Sequence, residues 1–157
     1  MAQGFIIDLQ TRERLNFQSD PNIIQPSGTP KRGSNFAAGG SHGTEQWTNA
    51  GGRTYTFPLV FWWESGPLEA VYRKYLWLDS LRFPSRAPDG KSLLPAPTVL
   101  VQIGQVLKGN FLVDDVSNVQ LTNLQAVSLL PRRITLTLKI TEVYDGVQTK
   151  QQVRTLV

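Results

Sequence analysis

Between Arg53 and Trp63 the chain alternates strictly: Tyr55, Phe57, Leu59, Phe61 and Trp63 share one side of an extended segment. Thr54, Thr56, Pro58, Val60 and Trp62 share the other. A period of two residues predicts a strand with one buried face. The second face turns from polar to apolar along its length. A half-exposed strand keeps that face polar to its end, so something covers the Val60 to Trp62 half: the following helix or another subunit.

A Gly66-Pro67 break follows, and then apolar residues recur at steps of three and four: Leu68, Val71, Tyr72, Tyr75 and Leu78. This predicts a helix that begins at Pro67, with Ser65 or Gly66 as its cap and those five residues as its core stripe. Trp77 and Leu81 fall outside the stripe. At about 100° per residue, Trp77 points away from Leu68 and shares its side with Arg73, Ser80 and Leu81. A tryptophan among charges reads either as a contact surface or as an aromatic shielded under a loop.

Elsewhere the pattern predicts several short strands. Phe5 to Leu9 and Arg14 to Gln18 form an opening hairpin around the polar turn Gln10 to Glu13. From Ser19 to Gly52 the alternation is lost, and seven of the thirteen glycines with three of the ten prolines lie there, which predicts one long arm without strands. Its isolated apolar residues Ile23, Ile24, Phe36 and Trp47 suit a strap laid across a neighbouring surface; the plainer alternative is a loop pinned to its own domain. Phe83 to Pro97 reads as a connector turning at Asp89-Gly90. Val99 to Gly104, Phe111 to Val116 and Val119 to Leu121 read as strands, and Val127 to Leu130 leads to a stop at Pro131. The alternation is clearest from Arg133 to Val143, where Ile134, Leu136, Leu138 and Ile140 interleave with Arg133, Thr135, Thr137, Lys139 and Thr141. The tail from Val147 is polar and basic, with Val153, Leu156 and Val157 near its end. It either frays or adds a strand to another subunit's sheet edge.

Composition narrows the function. At 157 residues with 40% hydrophobic content, one globular domain is expected, spanning residues 1–146 with the 19–52 loop inserted and an arm over 147–157. With no cysteine, disulfides and thiolate metal sites are excluded. The segment Met1 to Leu9 does not read as a signal peptide, and no apolar stretch is long enough to span a membrane, so no membrane partner is expected. The formal charge of +4 is spread in pairs such as Lys31-Arg32, Arg73-Lys74 and Arg132-Arg133, which reads as solvated charge rather than a nucleic-acid patch. The single histidine, His42, sits among glycines where it could not be held as a catalytic base. The Gly39-Gly40-Ser41-His42-Gly43 run lacks the Lys-Ser/Thr of a phosphate loop, and Asp114-Asp115 lacks a calcium-loop pattern. Glu64 and Asp79 could be paired on paper as glycosidase acids, but Asp79 lies near the core stripe and is expected to bond an arginine, a cap or a backbone amide. No catalytic, metal or cofactor site is therefore expected.

Three segments carry a family resemblance: Arg14-Leu15-Asn16-Phe17-Gln18 followed by Pro21-Asn22-Ile23-Ile24; Gln46-Trp47-Thr48 through Gly51-Gly52 into the Phe57 to Trp63 strand; and the helix with its Pro-rich exit. Together they resemble the tube and baseplate-hub adaptor proteins of contractile injection systems, including contractile phage tails. The family's closing Leu-x-Leu-x-x-x-Glu-like run is matched by Leu136, Leu138 and Glu142. Asp20 replaces the family's usual asparagine before Pro21. Many relatives carry a LysM module, and none follows Gly146, so peptidoglycan binding is not carried over.

The resemblance implies a mainly β, tail-tube-like split β-barrel: two antiparallel sheets with one α-helix packed at the side. It further implies a ring of about six copies joining the tail tube to the baseplate hub and spike, with wedge proteins as further partners. The protein would reside in the virion after synthesis in the host cytoplasm, without nucleic-acid contact apart from channel lining. The assembly interface is expected at Ile23, Ile24, Phe36, Trp47, Trp62, Arg73, Trp77, Leu81, Val153 and Leu156. A different reading is a monomeric β-barrel that binds an oligonucleotide or carbohydrate, with Tyr55, Trp47, Trp62 and Trp63 as stacking platforms. A tail enzyme acting through Glu64 or Asp79 is a third.

Overall fold

A computed structural model describes residues 4–28, 31–35, 44–49 and 53–143, and within 31–35 and 44–49 the backbone alone. The protein is mainly β, with one α-helix among the described residues. Seven strands form an open antiparallel sheet: β1 (Phe5–Asp8), β2 (Arg14–Asn16), β3 (Gln25–Ser27), β6 (Thr54–Trp62), β9 (Val99–Ile103), β10 (Leu107–Leu124) and β11 (Pro131–Glu142), in the order β2-β1-β9-β10-β11-β6-β3. Two small ladders stand apart from it: β4 (Lys31–Asn35) with β5 (Thr44–Asn49), and β7 (Ser85–Arg86) with β8 (Leu93–Leu94). The barrel of two sheets expected from the sequence is thus corrected to one principal sheet whose end strands do not pair.

The alternating segments fold as their pattern dictates. Phe57, Leu59 and Phe61 of β6 face inward beside Leu138, Leu136 and Ile134 of β11, in a register of nine consecutive pairs. Ile6, Val99, Val101 and Phe111 continue the same buried layer. The opening hairpin forms as expected, with Ile6 opposite Leu15. The helix α1 (Glu69–Ser80) lies over β6, β10 and β11 and seals the layer with Val71, Leu78 and Leu81.

Although the sheet is open, its ends meet through side chains. Phe17, just past β2, stacks obliquely on Phe57 of β6 with ring centroids 6.3 Å apart. The Gln18 amide grips the β6 backbone: its Nε2 donates to the Trp62 carbonyl, and the Trp62 amide donates to its Oε1, both at 2.9 Å. Gly4 fits beneath this turn because any Cβ there would lie 2.6 Å from the Phe17 ring. Its amide donates to Asp20.

Several boundaries differ from the sequence reading. The 19–52 segment is not free of strands: β3 pairs with β6, and β4 and β5 pair along Lys31↔Asn49 to Asn35↔Thr44. Backbone ladders need no apolar alternation, which is why glycine-rich sequence concealed them. The two strands expected at Phe111 to Val116 and Val119 to Leu121 are parts of β10, joined through a register shift between Ser117 and Gln120, with a further shift between Val113 and Asp115 inside the first. Val127 to Leu130 belongs to the loop between β10 and β11, whose turn is Ala126 to Ser128. Pro131 starts β11 rather than stopping a strand, a position where its missing N–H costs no ladder bond. The connector holds the β7–β8 ladder, with Asp89 accepting from the Lys91 and Ser92 amides at its turn.

The helix starts at Glu69, not Pro67. Leu68 is its N-cap and neither Ser65 nor Gly66 caps it; i→i+3 bonds from Ala70 to Pro67 and Val71 to Leu68 open the first turn instead. Gly66 does make the reversal, at φ +79°. Leu81 was expected off the core stripe, yet it is 2% exposed. Past Ser80 the chain tightens into i→i+3 bonds, Leu81 to Leu78 and Phe83 to Ser80. Side chains three residues apart then eclipse, so Leu81 falls in line with buried Leu78.

Candidate assembly surfaces

Two features leave the sheet incomplete. Its end strands β2 and β3 are three residues each, and β3 is exposed throughout. Between the Thr56↔Gln25 pair and the Trp62–Gln18 clamp, the outer side of β6 is left with Pro58 and Val60, and Pro58 has no N–H to offer. The second feature is larger. β10 pairs with β9 only as far as Phe111 and then runs to Leu124 with β11 as its sole ladder partner among the described residues. β6 ends opposite Arg133 and its last bond to β11 runs from the Trp63 amide to the Arg132 carbonyl, so beyond Arg132 the end of the β10–β11 hairpin has no strand neighbour on either side among the described residues.

That end is apolar and exposed: Val127 at 92%, Leu129 at 65% and Leu124 at 51%. No Asp, Glu, Lys or Arg occurs from Val116 to Pro131. Below it, Arg132 extends its guanidinium over the Trp63 ring at 6.0 Å, and Arg133 lies beside Val60, Trp62 and Ser19 around a cavity of about 270 Å³. Sequence reasoning missed this tip because the residues alternate too loosely to show a face. The uncharged run was the available signal.

The expected interface residues scatter. Ile23 is 54% exposed, whereas its neighbour Ile24 packs against the core. Trp62 is half-buried and held by Gln18. Arg73 is exposed and pairs with Glu69 one turn away at 3.1 Å. Trp77 is the shielded alternative: half-buried, packed on the core, its Nε1 donating to Glu13 Oε2 at 2.7 Å across to the opening hairpin. Leu81, buried in the core, has no surface to give a partner, which corrects its place in the interface. Trp47 lies in β5 opposite Arg32, its side chain outside the described residues. Phe36, Val153 and Leu156, and with them His42 and the 147–157 arm, also lie outside them.

Of the residues named in the other two readings, Tyr55 and Asp79 are engaged within the fold. Tyr55 meets Phe111 edge-on with centroids 5.8 Å apart, and its hydroxyl donates to Glu142 Oε1 at 3.0 Å. Burial, then that bond to Glu142, raises its pKa. Trp62 and Trp63 are successive residues and point to opposite sides of the chain. Asp79 accepts from Arg82 at 2.8 Å, and Arg82 reaches on to Asp115 at 3.5 Å, so Asp79 and Asp115 serve an ion-pair network between α1 and β10, while Glu64 lies exposed just past β6. Among the described residues, no group of three His, Cys, Asp or Glu could hold a metal ion, and no helix is long and apolar enough to cross a membrane. Comparison with known proteins finds no matching family model and no matching curated protein.

Proposed function

We propose that this protein is a structural component of a contractile phage tail or related injection system, a tail-tube-like subunit whose ring joins the tail tube to the baseplate hub and spike. The observation that carries the reading is the incomplete sheet. A stand-alone domain covers or charges its strand edges. Here the β10 side of the hairpin has no strand neighbour past Phe111 among the described residues, and the sheet ends in two three-residue strands. A ring of identical subunits, each offering one edge to the next, completes such a sheet and closes on itself. The segment resemblance, and a mainly β fold with one helix on its side, support the same reading. On it the protein acts through surfaces and not through catalysis.

Light scattering across a concentration series, with negative-stain imaging of the same sample, tests it. Rings or ring stacks are the expected result. A monomer at every concentration, unchanged when mixed with the tail tube protein, would sink the proposal.

A further inference from the structure

We infer that the tip of the β10–β11 hairpin, Leu124 to Leu130, seats in the interfacial layer of an anionic lipid membrane, with Trp63, Arg132 and Arg133 at the headgroup level. The inference does not rest on the tail assignment. It departs from the expectation of no membrane contact, which considered only segments long enough to span.

Three observations point to lipid. First, the tip carries no charge, and its three branched apolar side chains Leu124, Val127 and Leu129 face solvent. Second, the loop is cross-bonded at its base, where three amides and two carbonyls find partners within it. The Gln125 amide donates to the Leu130 carbonyl at 3.0 Å, Leu129 to the Gln125 carbonyl at 2.9 Å, and Leu130 to Ser128 Oγ at 3.4 Å. Ser128 Oγ in turn bonds the Gln125 side chain. These groups can therefore leave water without losing their partners. Third, the depth fits. The last ladder pair, Leu124↔Pro131, lies two residues beyond the Thr122↔Arg133 pair, where β6 also ends. At about 3.4 Å per residue this lifts the base of the loop some 7 Å past Trp62 and Arg133, with Trp63, whose amide donates to the Arg132 carbonyl, one step nearer to it. Interfacial segments sit about 5–10 Å deep, with tryptophan and arginine at the headgroups.

A nucleic acid fits less well, because it would meet no cation on the tip itself. A second copy seated on the tip is told apart from lipid by the assembled mass of the tip variants.

The test is flotation of the whole protein with vesicles of phosphatidylcholine mixed with phosphatidylglycerol, and of phosphatidylcholine alone. Binding to the mixed vesicles is expected to fall by about tenfold or more in Val127→Asp and in Leu129→Asp. Both positions are exposed, so the melting temperature should not change. Arg132→Gln and Arg133→Gln should each weaken binding to the mixed vesicles by about fivefold and leave the phosphatidylcholine result unaltered. Absence of flotation, or equal flotation of wild type and Val127→Asp, overturns the inference. So does a Val127→Asp variant whose assembled mass drops while its vesicle binding stays the same, because the tip is then a protein contact.

Discussion

Replacing Gln18 with alanine removes both bonds by which one end of the sheet holds the other. The two 2.9 Å contacts to the Trp62 amide and carbonyl reproduce what a paired residue in a ladder would make, with a side-chain amide in place of a peptide. Each such bond contributes about 0.5–1.5 kcal/mol net, and the Trp62 groups lie near enough to solvent to regain water in part. The expected loss is therefore about 1–3 kcal/mol, read as a lower urea midpoint at unchanged slope. Gln18→Glu sharpens the test. An ionised carboxylate can still accept from the Trp62 amide but faces the Trp62 carbonyl as a second acceptor. A protonated carboxyl can donate to it. Folding then favours the protonated form and raises the carboxyl's pKa, so this variant should regain stability as pH falls through that value and lose it as pH rises. Amide exchange at Trp62 should quicken in Gln18→Ala. An unfolding free energy within about 0.3 kcal/mol of wild type, with Trp62 exchange unchanged, would show that the clamp closes nothing. A destabilised variant with unchanged Trp62 exchange would assign the loss to packing.

Trp77→Ala should destabilise the isolated protein by about 3–5 kcal/mol, the range for emptying a large aromatic site, and the cost should shrink if its half-burial lets the site collapse; thermal melts of the monomer decide this. Gly4→Ala should lower stability by about 1–3 kcal/mol, since the new methyl meets the Phe17 ring, and a paired Phe17→Leu change should recover part of it. Leu138→Asp, at a fully buried position in the central strand, should leave no cooperative unfolding transition in calorimetry. Tyr55 should ionise above the usual phenol range in a titration followed at ~295 nm. Its folded pKa is raised by burial and by the bond to Glu142, so the stability it contributes is complete below about pH 10 and is lost as pH rises through the folded value. Tyr55→Phe should flatten that alkaline loss.

Where side chains repeat at the period of their element, the sequence was enough. Ile134 to Ile140 and Phe57 to Phe61 announced the two central strands, and Val71 with Leu78 marked the buried side of the helix. What escaped was whatever depends on departures from a period. Leu81 is buried by a tightened last turn that no 100° wheel describes. β10 was split in two because its extra residues displace the apolar positions. The β4–β5 ladder is made by backbone groups, which leave little trace in residue type. Gln18 looked like an ordinary polar residue at the end of a strand, although its partner lies 44 residues away. Of the interface, the exposed Ile23 and Arg73 were legible as surface. The apolar tip was not, because it belongs to no amphipathic pattern.

The two register shifts in β10 carry a design consequence. Between Val113 and Asp115 the strand advances two residues while β11 advances from Ile140 to Lys139, and between Ser117 and Gln120 it advances three while β11 advances from Thr137 to Thr135. Each shift thus holds one supernumerary residue, and Asn118, at φ +51°, lies within the second. Deleting one residue from either shift would restore one-to-one pairing and keep Val116 and Val113 facing inward. In the second shift the supernumerary residue therefore serves the hairpin's heading rather than its adhesion, since a bulge bends and twists a strand, whereas in the first Asp114 and Asp115 also bond Thr141 and Arg82. Direction and stability are separately encoded at that second shift, so a single-codon deletion there could swing the hairpin's end to a new bearing without loosening the domain that carries it.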